Sequence, residues 1–158
     1  MKAVLATIAV ALLAAFAASA SAHPGAPVTI TTNLSFPSYP SGPPNVGTYY
    51  GTFYASDASG TIDTGNVTAQ TLFAAVPSPS VGVLHTDRTL KSADGTLQLR
   101  CNEIAKSLSD PTAVPGNGTC AVLSATGAYA DLAGSGKVTS LADLNAGTFT
   151  DSLDLGVK

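Results

Sequence analysis

The stretch SATGAYADLAGSGKVTS, residues 124–140, decides the fold. Gly134-Ser135-Gly136-Lys137 has the outline of a phosphate loop, and the same glycines suit a corner between two β-strands. A Walker-type loop needs glycine five positions before its Gly-Lys and a Ser or Thr directly after the lysine. Those positions hold Asp131 and Val138, so a carboxylate would repel phosphate and no hydroxyl is offered to magnesium. A dinucleotide fingerprint fails as well, because Thr139 stands where its last glycine belongs. A strand pattern follows the block, so no helix N-terminus faces it. A corner asks for less. Gly127 and Gly134 can take positive φ, Gly136 can release a strand from the bend, and Tyr129 and Leu132 can pack beneath the arch. The block then closes a barrel wall at a tight strand-to-strand turn.

Working outward, β signals dominate. VTITTNLSF (28–36) alternates weakly, and PSYPSGPPN (37–45) is extended or polyproline-like connection. TYYGTFYA (48–55) and NVTAQTLFAAV (66–76) are rich in aromatic and β-branched residues, the second ending at Pro77-Ser78-Pro79. VGVLHTDRTL (81–90) meets TLQLRCNEI (96–104) through Ser92-Ala93-Asp94-Gly95, a hairpin signal. On the second arm Leu97, Leu99 and Cys101 share one face, and Gln98, Arg100 and Asn102 the other. SLSDPTAVPGNG (107–118) reads as a Pro/Gly loop before TCAVLSA (119–125). KVTSLADL (137–144) and TFTDSLDLGV (148–157) form a last hairpin around Asn145-Ala146-Gly147. On its final arm Phe149, Leu153, Leu155 and Val157 share a face with Asp151 among them. No segment beyond the N-terminus has a helical period. The fold class is all-β: a single antiparallel barrel of about eight strands, with a β-sandwich as the alternative.

The N-terminus reads as a signal peptide. Lys2 precedes an apolar run over 3–17, and Ala20-Ser21-Ala22 supplies small residues for cleavage after position 22. The expected organisation is a signal peptide at 1–22, an N-terminal strand and Pro-rich linker at 23–47, and a β-barrel domain at 48–158. The protein is then secreted, with no membrane attachment after cleavage. Export makes a Cys101–Cys120 disulfide the default, contributing about 3 kcal/mol by loop closure. It would staple a weakly ordered connection at its base. The formal net charge of −3 and the lack of a basic patch exclude nucleic acid as a partner.

Thr126 to Gly136, T-G-A-Y-A-x-L-x-G-x-G, resembles the Gly-rich block of the allene oxide cyclase and dirigent-like barrel superfamily. Small secreted bacterial members of that group are the nearest in character. AGTFTDSLDL (146–155) is similar to their closing hairpin. The resemblance implies an eight-stranded antiparallel barrel, a lumen able to hold a small apolar ligand, and a homo-oligomer, since plant members are often trimeric. It carries no catalytic residue across, because the matched positions are structural.

His85-Thr86-Asp87-Arg88 is the densest polar cluster on a strand. His85 and Asp87 share a face, and Arg88 shares the other with Leu84 and Leu90. In a lumen, His85, Asp87 and Arg100 would be candidates for acid–base work, with Glu103 able to join. The bland alternative is a solvated outer wall with a cross-strand ion pair. His23 would become the new N-terminus and, with His85, is a remote candidate copper ligand. No Gly-x-Ser-x-Gly elbow or His-Glu-x-x-His zinc motif is present, and no cofactor is expected. Asn33, Asn66 and Asn117 open glycosylation sequons.

Three functions follow. The leading one is a non-catalytic binder of a small apolar ligand or an extracellular interaction module. The second is a cyclase or isomerase acting on an apolar substrate in the lumen. The third is the copper protein. A lumen lined by Leu, Val and Phe favours binding, whereas converging His85, Asp87 and Arg100 would favour catalysis.

Overall fold

The structure is a computed structural model, and it describes residues 27–36, 47–78, 80–106 and 109–156. Eight strands make up the described chain: β1 (Val28–Ser35), β2 (Thr48–Asp57), β3 (Gly60–Ser78), β4 (Val81–Lys91), β5 (Gly95–Lys106), β6 (Val114–Gly127), β7 (Ser135–Asp143) and β8 (Thr148–Leu155). Each pairs antiparallel with its chain neighbour, and β1 also pairs with β8, so the sheet closes into a barrel. The sandwich alternative is thereby excluded. No helix occurs among the described residues. The proposed signal peptide and His23 lie outside the described residues.

Three elements differ from the sequence expectations. First, β1 is a full stave of the barrel. Val28, Ile30, Thr32 and Leu34 point inward and are buried, so the domain begins upstream of residue 48. Second, β3 runs for 19 residues. It takes in the Thr61–Gly65 stretch and continues to Ser78, with the β4 register slipping between Ala75 and Ser78 where the sequence predicted an end. Third, Val114–Gly118 belongs to β6. Its glycines permit what a loop reading misses: a Cβ at Gly118 would stand 2.0 Å from the Asn102 carbonyl oxygen. The two strands can approach there only without a side chain.

Cys101 and Cys120 are consequently partners in the β5–β6 register and form a disulfide buried in the wall. The bond ties two strands that are already paired in the wall.

The Gly-rich block joins β6 to β7. Gly127 (φ 60°) and Gly134 (φ 86°) take the left-handed backbone at the two ends of an arch. Gly136 lies against β8, where a Cβ would fall 1.9 Å from the Asp154 carbonyl oxygen. The arch is longer than the tight turn expected. It is laced by amides donating to carbonyls, Tyr129 to Thr126 and Leu132 to Tyr129 (2.8 Å). The arch is also tied to the β4–β5 turn through Ala128 N donating to Asp94 O at 2.9 Å. Tyr129 and Leu132 turn down into the barrel and join the core. The Tyr129 ring meets Phe53 edge-on at 6.4 Å, and its hydroxyl donates to Asp63. Burial, reinforced by that carboxylate, raises the phenol's pKa.

The two ends of the barrel therefore differ. Beneath the arch, Ile30, Phe53, Leu90, Leu97, Leu99, Val138, Leu153 and Leu155 fill the lumen. At the other end, where β1, β3, β5 and β7 finish, the lumen is hollow.

Candidate functional site

Alternation along each strand sends every second side chain inward. On β4 this rule buries Thr86, Arg88 and Leu90 and leaves His85 and Asp87 on the outer wall. On β5 it buries Cys101 and Glu103 and turns Arg100 out. On β8 it buries Asp151 between Phe149 and Leu153.

The charges that meet in the lumen are therefore Arg88, Glu103 and Asp151, at 2%, 3% and 2% exposure. Arg88 Nη1 donates to Asp151 Oδ2 and Nη2 donates to Glu103 Oε1. Arg88 Nε donates to Thr86 Oγ1 at 3.1 Å. Thr32 Oγ1 donates to the other Asp151 oxygen at 2.9 Å. The Phe149 ring centre lies 5.6 Å from the guanidinium, within cation–π range. Removal from water disfavours the charge on Arg88, yet the two carboxylates hold its pKa above the usual arginine value. For Glu103, burial is the largest effect and raises the carboxyl, against the pull of Arg88; the Asp151 charge adds to the rise. Among the described residues its Oε2 has no hydrogen-bond partner within bonding distance, while the inward Ser140 hydroxyl on β7 offsets part of the cost.

A consequence follows for pH. A folded state that keeps a proton on Glu103 binds more protons than the unfolded chain, so stability falls as pH rises. The fall begins at the ordinary glutamate value of 4.5 and continues through the raised one. Glu103→Gln should flatten that slope in urea melts across the acid-to-neutral range. Parallel curves for variant and wild type would show that Glu103 stays ionised.

Above this cluster lies a cavity of about 350 Å³. It is walled by Leu34, Phe36, Ala75, Leu84, Val114 and Phe149 among others, and Thr86 and Arg88 form its inner polar end. The volume falls in the range of small-molecule sites. Among the described residues that line it there is no carboxyl, imidazole or thiol.

The sequence candidates lie elsewhere. Asp87 and Arg100 are directly opposed across β4 and β5. They form a two-pronged ion pair, both bonds 2.8 Å, on the outer wall. The Arg100 hydrogen bond lowers the Asp87 pKa. Such an exposed pair contributes little to stability. His85 lines a shallow groove on that wall with Asn102, Thr119 and Lys137. The three residues offered for acid–base work thus stand outside the lumen, and Glu103 alone of that group stands inside. Arg88 and Asp151 carried a signal in the sequence, since each interrupts an apolar face at strand spacing. Among the described residues no group of three His, Cys, Asp or Glu is placed to hold a metal ion. Of the sequon asparagines, Asn33, Asn66 and Asn117 all stand exposed on the outer wall.

Comparison of the chain with family models, with curated proteins and with solved structures gave no match.

Proposed function

We propose that the protein is a secreted, non-catalytic binder of a small apolar ligand, held in the hollow end of the barrel. The cavity of about 350 Å³, walled mainly by apolar side chains with Thr86 and Arg88 at its inner end, carries this reading. At roughly 30 Å³ per small group, it accommodates on the order of a dozen non-hydrogen atoms. The disulfide and the leader-like N-terminus support an extracellular site of action. Kinship with the allene oxide cyclase and dirigent-like barrels is part of the proposal, and the closed eight-stranded barrel is consistent with it.

A lumen cyclase or isomerase is the second reading, favoured by the raised Glu103 carboxyl. Binding is preferred because Arg88 and Thr86, not Glu103, line the cavity. A general acid needs to be within hydrogen-bond reach of the reacting atom.

The test is titration with a neutral naphthylamine fluorophore, which brightens on entering an apolar site. One saturable site per chain is expected. Ala142→Phe and Ala75→Phe, each placing a ring in the cavity, should abolish it while retaining a cooperative melt. Unchanged binding in either folded variant would refute the lumen as the site.

A further inference from the structure

We propose that the lumen site selects a neutral, mainly apolar molecule carrying one hydrogen-bond-accepting oxygen, such as a ketone, ester or ether, and rejects the matching carboxylate. This rests on the binding role proposed above and narrows it to a ligand class.

Arg88 and Thr86 are the polar side chains at the inner end of the cavity. A guanidinium carries five N–H bonds and no acceptor. One from Nε goes to Thr86, one from Nη1 to Asp151 and one from Nη2 to Glu103. Among the described residues those three contacts leave two N–H groups of a cavity-lining arginine for a ligand. Thr86 Oγ1 accepts from Arg88, so its own hydrogen is directed elsewhere. Arg88 therefore presents only donors to a ligand at this end, and the complementary ligand atom is an acceptor.

Net charge then separates the acceptors. An isolated buried arginine would draw a carboxylate, because its charge would be unmatched. Arg88 is already matched by Asp151 and Glu103, both as buried as itself. The three groups sum to zero if one carboxyl is protonated and to minus one if neither is. No protonation state with Asp151 ionised gives an excess of positive charge. A ligand carboxylate would enter a desolvated site against two carboxyl groups and lose its hydration. A carbonyl or ether oxygen can use the free N–H groups with no such opposition. An alkane would leave those donors without a partner once it displaced water from the cavity.

The experiment is displacement of the naphthylamine fluorophore from the wild-type protein near neutral pH. Hexyl methyl ketone, octane and octanoate serve as competitors of similar size. The ketone should displace the probe about tenfold more effectively than octane, the factor expected for one satisfied buried donor. Octanoate should be weaker than the ketone by about tenfold or more. Octanoate equal to or better than the ketone would overturn the charge inference, and octane equal to the ketone would overturn the donor inference. Failure of the fluorophore itself to bind would instead remove the binding role, so the two failures are told apart.

Discussion

Replacing Arg88 by methionine is expected to destabilise the barrel by about 3–5 kcal/mol at neutral pH, the largest effect of any single substitution at the site. Methionine is unbranched and apolar and can occupy much of the same lumen space. What it cannot do is balance Glu103 and Asp151, which lie on different strands and face the same guanidinium. Two buried carboxyl groups would remain without their cation, with the Thr32 hydrogen bond still serving Asp151. Acid should relieve the defect, because protonating Glu103 removes buried charge that has lost its cation. The variant's denaturant midpoint should therefore rise as pH falls towards the ordinary carboxyl range. A second variant separates the missing charge from the missing packing. Changing Arg88→Met, Glu103→Gln and Asp151→Asn together removes all three charges, and it should recover most of the lost stability. An Arg88→Met protein as stable as wild type at neutral pH would mean that the cluster is not held as a buried ion triad.

The second large effect concerns the disulfide. Changing Cys101 and Cys120 together to alanine should cost about 3 kcal/mol, lowering Tm by roughly 10 °C. The residues are 19 apart in sequence, and the cross-link removes the loop-closure freedom of that segment from the unfolded chain. Reduction of the wild-type protein by dithiothreitol should give the same shift only after unfolding, because both residues are fully buried. Thermal melts of the oxidised, reduced and double-alanine proteins check this. Identical midpoints would show that the β5–β6 ladder alone sets the stability of this wall.

Both predictions rely on features that were partly visible in the chain itself. Leu97, Leu99 and Cys101 mark the inner face of β5, and the same alternation carries on to Glu103. Leu84 and Leu90 mark the inner face of β4, and Arg88 falls between them. Phe149, Leu153 and Leu155 do the same for Asp151. Polar density nevertheless draws attention to His85, Asp87 and Arg100, because they are close in sequence and adjacent across a hairpin. Local density is the wrong guide here: an exposed strand face gathers polar residues simply because water accepts them. The Pro/Gly stretch before Cys120 misleads for a related reason. Glycine signals a loop when its freedom is used for a turn, but Gly118 instead makes room for the β5 backbone.

Taken alone, the amino-acid sequence determined the all-β class, the paired cysteines, the inward and outward faces of most strands and the corner at the Gly-rich block. Each of these depends on spacing within a few residues, where side-chain period and glycine's backbone freedom act directly. Tertiary structure decided that Arg88 meets Asp151, 63 residues away, and Glu103, 15 residues away. It also decided that the arch fills one mouth of the barrel while the opposite mouth stays hollow. Those outcomes depend on the closure of β1 on β8 and on the stagger of strands around the wall. Closure sets which inward positions share a level, and no periodicity within a single strand records it.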